Sequence, residues 1–150
     1  MDFTVRKADL SDVSVVNEMI HKLAEFENMA DLCTLDDETL SGLMSEQNGL
    51  SVLIAEADGK VVGITAYHFF KIATFSGKRV LYIEDIFIDE EYRHMGIGSA
   101  FFKKCKQIAK EENCHRLEWK CLAWNSSARK FYQKTGGLSS DEWLTYTLEI

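Results

Sequence analysis

The stretch "EEYRHMGIGSAFFKK", residues 90–104, decides the fold. It sets Gly96 and Gly98 behind Arg93 and directly ahead of an amphipathic run that opens Ile97-Gly98-Ser99-Ala100-Phe101-Phe102. Glycine lets a backbone take positive φ or come close to a ligand. The first N–H groups of a helix have no intrahelical partners and lie at the positive end of its dipole, so a bare loop entering a helix suits an anion such as a pyrophosphate. Two familiar phosphate motifs do not fit. A P-loop requires Gly-Lys-Ser/Thr, whereas Gly98 is followed by Ser99-Ala100, and a dinucleotide fingerprint requires Gly or Ala at its sixth place, which here is Phe101. A nucleotide-dependent oxidoreductase is disfavoured on that ground.

Outward from the glycines the periodicity changes character. Phe101, Phe102, Cys105, Ile108 and Ala109 form one helical stripe running to about Asn113, and "VLYIEDIFI" just upstream reads as a long strand. Further back, "LSVLIAEADGKVVGITAYHFF" is two β-rich runs around Ala57-Asp58-Gly59-Lys60, a hairpin pattern, with a second turn near Ser76-Gly77-Lys78. At the start, "FTVRKA" alternates as a short strand. Val13, Val16, Ile20, Leu23 and Phe26 then mark a helix capped by Ser11, and "LDDETLSGLMSEQ" gives a second. Downstream, "HRLEWKCL" reads as a strand, Asn125 caps a helix ended by Gly136-Gly137, and "EWLTYTLEI" reads as a closing strand. The order β-α-α-β-β-β-α-β-α-β implies an α/β (α+β) domain over 1–150. Its antiparallel strands come first, followed by a crossover through the glycine-opened helix that makes two strands parallel.

Bulk properties narrow the function. The 150 residues are 46% hydrophobic and 27% charged, as expected of one globular domain, and no apolar run approaches the roughly 20 residues of a membrane span. The polar, acidic N-terminus does not read as a signal peptide, so a cytoplasmic location is expected. Cys33, Cys105, Cys114 and Cys121 lack CxxC spacing, so we expect reduced, mostly buried thiols and no metal site. A net charge of −7 disfavours nucleic acid and anionic membrane as partners. The charge is uneven. From Arg93 to Lys134 ten Lys/Arg face three Glu, a net of +7, which leaves −14 on the rest of the chain. Such asymmetry suits an anionic ligand on one side and a cationic one on the other, although solvated helix faces are the more ordinary account of it.

Arg93-His94-Met95-Gly96-Ile97-Gly98 after a strand resembles the R/Q-x-x-G-x-G/A pattern of the GNAT family of N-acetyltransferases. "LYIEDIFIDEEYRHMGIGSAFFKK", "LEWKCLAWNSSARKFYQKTGG", "DEWLTY" and "KLAEFENM" are similar to its spermidine/spermine (diamine) and thialysine acetyltransferase branch. The resemblance implies a mixed, mostly antiparallel sheet with a parallel splayed pair at the acetyl-CoA site and about four flanking helices. It also implies coenzyme A as acyl carrier, a small cationic amine as acceptor, and a homodimer.

By the same resemblance, the backbone of Ile86, Phe87 and Ile88 pairs with the pantetheine arm. Arg93, His94, Met95, Gly96, Ile97, Gly98 and Ser99 form the phosphate loop, with Glu90 or Glu91 as the alternative partner of Arg93. Asn125, Ser126, Ser127 and Ala128 make a second cofactor contact, and Lys134 reaches toward the phosphates. Tyr132 is the general acid: a phenol of pKa ~10 can protonate a departing thiolate of pKa ~8.5 without first ionising.

Glu84 and Asp85 interrupt an apolar strand, and consecutive strand residues face opposite ways, so one of them is carried inward. The resemblance puts Glu84 at the acceptor amine as a proton relay with Asp85 beside it; pairing of Glu84 with Lys78 or Arg79 is the alternative. A primary amine of pKa ~10.4 is neutral in only about one molecule per few thousand at pH 7, so a carboxylate of ordinary basicity orients the amine more than it deprotonates it. Phe26, Glu27, Glu118, Trp119, Lys120, Glu142 and Trp143 complete the implied acceptor site, where carboxylates pair with ammonium groups and tryptophan offers a cation–π face. Phe26 stands where the polyamine members carry tyrosine, Lys120 is a cation where a neutral residue is usual, and "LAEFE" is closer to the thialysine relatives. A lysine-like amino acid therefore stands beside a polyamine as acceptor. A protein lysine or N-terminus, and a catalytically silent CoA-binding sensor, are the alternative functions. His21, His68 and His115 show no partner pattern and read as structural.

Overall fold

The computed structural model describes residues 2–150, which form two compact units, 2–120 and 121–150. The first holds a five-stranded sheet of order β1-β2-β3-β4-β5, from β1 (Thr4–Lys7), β2 (Ser51–Ala57), β3 (Lys60–Ala73), β4 (Lys78–Ile88) and β5 (Leu117–Trp119). Neighbours are antiparallel except β4 and β5, which are parallel. The helices of this unit are α1 (Val13–Phe26), α2 (Asp37–Leu43) and α3 (Ile97–Glu111). The α3 crossover turns the chain so that β5 can run beside β4 in the same direction, as the order of elements requires.

Each element follows from local chemistry. The β2–β3 hairpin closes through Asp58 and Gly59, both at positive φ (53° and 75°), the conformation a two-residue hairpin turn demands. The chain enters α1 through a short 3₁₀ turn capped by Asp9, whose carboxylate accepts from the Ser11 N–H at 2.8 Å while Asp12 accepts from the Asp9 N–H at 2.9 Å. Ser11 is thus not the cap. Asp9 and Asp12 each accept from one orphan donor, a reciprocal pair that a single hydroxyl cannot make. Arg6 donates to both Asp12 oxygens at 2.9 Å and holds that carboxyl below its ordinary range.

The apolar face of α1 (Val13, Val16, Met19) meets Leu40 of α2 and Val52, Ile54, Ile64, Ala66 and Phe87 of the sheet. On α3, Ile97, Phe101, Phe102, Cys105 and Ala109 are buried, and this helix packs on β4 and β5. Burial pushes the Cys105 thiol up to about 12, so it behaves as a core side chain. All four cysteines are free, but only Cys105 is fully buried, and Cys121 is exposed.

The second unit contains α4 (Ser126–Lys134). Asn125 Oδ1 accepts from the Ala128 N–H at 3.2 Å, and Gly136 at φ 90° ends the helix, as the sequence implies. The expected closing strand over 142–150 does not form. Its alternation is present, with Leu144, Tyr146, Leu148 and Ile150 at every second position, and all four are exposed. Alternation sets which side a residue takes; hydrogen-bonded pairing is what makes a strand.

Candidate active site

The loop between β4 and α3 is anchored from below. Tyr92 donates its hydroxyl to Asp58 Oδ2 at 3.0 Å, with Lys60 Nζ 5.4 Å above its ring centroid, which ties the loop to the β2–β3 turn. Arg93 donates Nε–H to the Ile88 carbonyl at 2.9 Å, and its guanidinium carbon lies 5.0 Å from the Phe26 and 5.5 Å from the Phe87 ring centroid. Its side chain therefore joins the end of β4 to the end of α1, in contacts that involve neither Glu90 nor Glu91. Beyond it His94 (φ 62°) and Gly96 (φ 93°) take left-handed conformations. A Cβ at residue 96 would meet no atom within 4 Å, so glycine is required there by its φ and not by crowding. No side chain caps α3. The N–H groups that open this helix have no side-chain acceptor, and His94, Met95, Gly96 and Ser99 are exposed around them.

The edge of β4 supplies the second half of a cofactor cradle. β5 pairs with it only through Leu81, Tyr82 and Ile83. From Glu84 to Ile88, β4 therefore runs on without a β5 partner and presents main-chain groups on that side, as the splayed pair implies. These two features, an uncapped helix start and an unpaired strand edge, fit the pyrophosphate and the amide-bearing arm of coenzyme A.

A β-bulge separates the two acids. Ala66 pairs with Asp85 and Tyr67 with Ile83, so Glu84 is the extra residue on β4. Bulges re-aim side chains. Glu84 is exposed and accepts from His68 Nε2 at 2.8 Å, while Arg79, one of its two expected alternatives, pairs with Glu112. Asp85 is half-buried, and the hydroxyl of fully buried Thr65 donates to its backbone carbonyl at 3.0 Å, fixing the strand there. Burial, then the charges of Glu84 and Glu27, raise the Asp85 carboxyl to about 6. Burial also raises Glu27. Asp85, expected as a flanking charge, is thus a half-buried carboxyl raised well above the usual carboxylate range.

At the other expected acceptor positions, Glu118 on β5 accepts from Lys71 and from Arg116 Nη2, the latter at 3.0 Å. Burial opposes its charge, but these two cations outweigh that and hold it below the usual carboxylate range. Trp119 meets Phe102 edge-on at 5.0 Å, and Lys120 is exposed. In the second unit, Tyr132 is half-buried with its ring 5.6 Å from that of Phe131, Lys134 lies in the last turn of α4, and Glu142 and Trp143 are exposed. His21 bonds to the Leu35 carbonyl at 2.9 Å, consistent with its structural reading. His68, read from the sequence as structural without a partner pattern, bonds to Glu84. Its partner lies sixteen residues away, across a bulged register that no linear pattern displays.

A mixed sheet whose strands splay beside an uncapped, glycine-led helix defines a transferase that handles an acyl-CoA thioester. The acetyltransferase (GNAT) family profile matches residues 17–137, and the chain belongs to that family. It is 32% identical to the thialysine N-epsilon-acetyltransferase of Mus musculus, over 97% of this chain and 91% of that one. It is 31% identical to the human spermidine/spermine N(1)-acetyltransferase-like protein 1, over 93% of this chain but 21% of that longer protein. Among solved structures, an integron cassette protein from the mobile metagenome of V. cholerae superposes with a TM-score of 0.81 at 25% identity, covering 99% of this chain and 93% of that one. The protein is an N-acetyltransferase, and acetyl-CoA is the acetyl donor of its family.

Proposed function

We propose that this protein acetylates the primary amine of a small cationic acceptor by direct attack in a ternary complex, and that the acceptor is a lysine-like amino acid in preference to a polyamine. The observation that carries this reading is the pair of unlike carboxylates at the β4 bulge, beside an unpaired strand edge and an uncapped helix. The N–H groups around Gly96–Ser99 hold the diphosphate, and the free edge of β4 over Ile86–Ile88 aligns the pantetheine arm. When bound, the cofactor supplies an acetyl thioester. Glu84 orients the acceptor ammonium, and Asp85 takes its proton. A carboxyl at about 6 is closer to the amine's basicity than an ordinary one by about 2 units, which removes about 3 kcal/mol from the cost of that transfer. Tyr132 protonates the departing thiolate; its role comes from the resemblance of the Phe131-Tyr132 pair.

The preference for an amino acid rests on Glu118. Its charge is already matched by Lys71 and Arg116, so a distal ammonium of a polyamine must displace a cation of the protein, whereas a carboxylate-bearing acceptor meets those cations favourably. The family match runs through both units, and we propose that they act as one acetyltransferase domain within a homodimer.

Thiol release from acetyl-CoA at pH 8 tests the reading, with wild type and Tyr132→Phe across thialysine, lysine, spermidine, putrescine and a lysine peptide. Release with thialysine or lysine exceeding that with spermidine, reduced at least about 10-fold by Tyr132→Phe, is expected. Release only with the peptide sinks the small-acceptor reading. CoA binding without release from any amine identifies a sensor.

A further inference from the structure

His68 lies on β3 opposite Tyr82 of β4, with its side chain only 13% exposed. Its ring stacks with two others, 4.7 Å from Phe70 at 20° and 5.4 Å from Tyr82 at 24°. Stacking leaves the imidazole edge for hydrogen bonding. The two ring nitrogens are both engaged. Nδ1 lies 3.2 Å from the Phe70 backbone nitrogen, which can only donate, so Nδ1 is an acceptor. The ring hydrogen is therefore on Nε2, which donates to Glu84 Oε1 at 2.8 Å. The backbone of β3 thus selects the tautomer, and the tautomer selects the carboxylate.

Glu84 has reason to need such a partner. It is the unpaired residue of a bulge, its side chain is 50% exposed, and a glutamate has three torsions to lose on becoming ordered. A carboxylate that must meet an ammonium in one geometry is more effective when held beforehand. The geometry points to His68 as the positioning residue of Glu84: its Nε2–H fixes Oε1 and leaves Oε2 for the acceptor amine. This rests on the reading that Glu84 lies at that amine. His68 touches neither acceptor nor cofactor and acts only through the carboxylate.

The test uses the full chain with His68→Phe, which keeps a flat stacking ring without the N–H; His68→Gln, whose amide N–H can restore the donor; Glu84→Gln; and Glu84→Gln with His68→Phe. Steady-state constants are measured with the best acceptor. His68→Phe is expected to lower kcat about 10-fold with KM for acetyl-CoA unchanged, and His68→Gln to return it to within about 3-fold of wild type. In the Glu84→Gln background His68→Phe adds no further loss, because the two residues act as one unit. Imidazole 15N shifts of the wild type, read by NMR, show the Nε2–H tautomer. An Nδ1–H tautomer, multiplicative losses in the double variant, or a wild-type kcat for His68→Phe beside an impaired Glu84→Gln each overturn the inference and leave the role of Glu84 intact. A wild-type kcat for Glu84→Gln overturns both.

Discussion

Glu84 and Asp85 share a peptide bond and a functional group, yet they occupy different environments. Glu84 is solvent-facing and held by a histidine from the neighbouring strand. Asp85 is half-buried, its main chain pinned by Thr65 and its carboxyl raised to about 6 by burial and by the charges of Glu84 and Glu27. Alternation already sends consecutive strand residues to opposite sides, and the additional residue in the β4 ladder leaves Glu84, not Asp85, without a partner on β3. In the proposed reaction that difference lets one carboxylate orient the acceptor while the other takes its proton.

The largest effect expected from breaking the contrast is on turnover. Asp85→Asn removes the carboxyl raised to about 6 and should lower kcat/KM for the acceptor about 100-fold at pH 7.5, with loss of the acidic limb of the profile near pH 6. Glu84→Gln should cost about 10-fold and keep that limb, shifted to lower pH, because removing the neighbouring negative charge lets Asp85 ionise more readily. Kinetic profiles from pH 5 to 9 decide the matter. Equal losses with an unmoved limb would mean that the two acids do not differ as their surroundings suggest.

Stability gives a smaller effect of opposite sign. A carboxyl raised above its unfolded value binds protons more tightly in the folded chain, so its contribution falls as pH rises from about 4 to about 6 and stays low above that. Asp85→Asn should therefore stabilise the protein by about 1–3 kcal/mol at pH 8 and by close to nothing at pH 4. Urea denaturation at the two pH values measures it, and a loss of stability at pH 8 contradicts the assignment. Together with the kinetic loss, a gain identifies Asp85 as a residue kept at the expense of the fold.

Much of this was legible in the sequence, for identifiable reasons. Features written over a few neighbouring residues could be read directly: the Asp58-Gly59 turn, the Asn125 cap, the α3 stripe, and the glycine loop with its uncapped helix. The interrupted apolar run of β4 announced that one acid would be carried inward. Which acid it was depended on the bulge, a property of two strands in register. Lys71 and Glu118 come from different strands, as do His68 and Glu84, and neither pair leaves a linear trace. The segment 142–150 shows the converse, since its alternation is local and its missing partner is not.

The smallest expected effect concerns a third carboxylate, Glu118, whose surroundings differ from both acids of the bulge. Two cations of the protein already hold it, and Lys71 also lies 5.9 Å from the Tyr82 ring centroid, so in the proposed acceptor site a second ammonium would compete with that of Lys71. Partly exposed ion pairs contribute about 0.2–1 kcal/mol, so releasing one can change acceptor preference only modestly. Lys71→Met is expected to raise the ratio of kcat/KM for spermidine over thialysine by about 2–5-fold while leaving KM for acetyl-CoA unchanged. The direction is fixed by charge: one fewer cation leaves Glu118 available to a distal ammonium and weakens the hold on an amino-acid carboxylate. An unchanged ratio would show that Glu118 does not reach the acceptor and would confine recognition to the acids of the β4 bulge and Glu27.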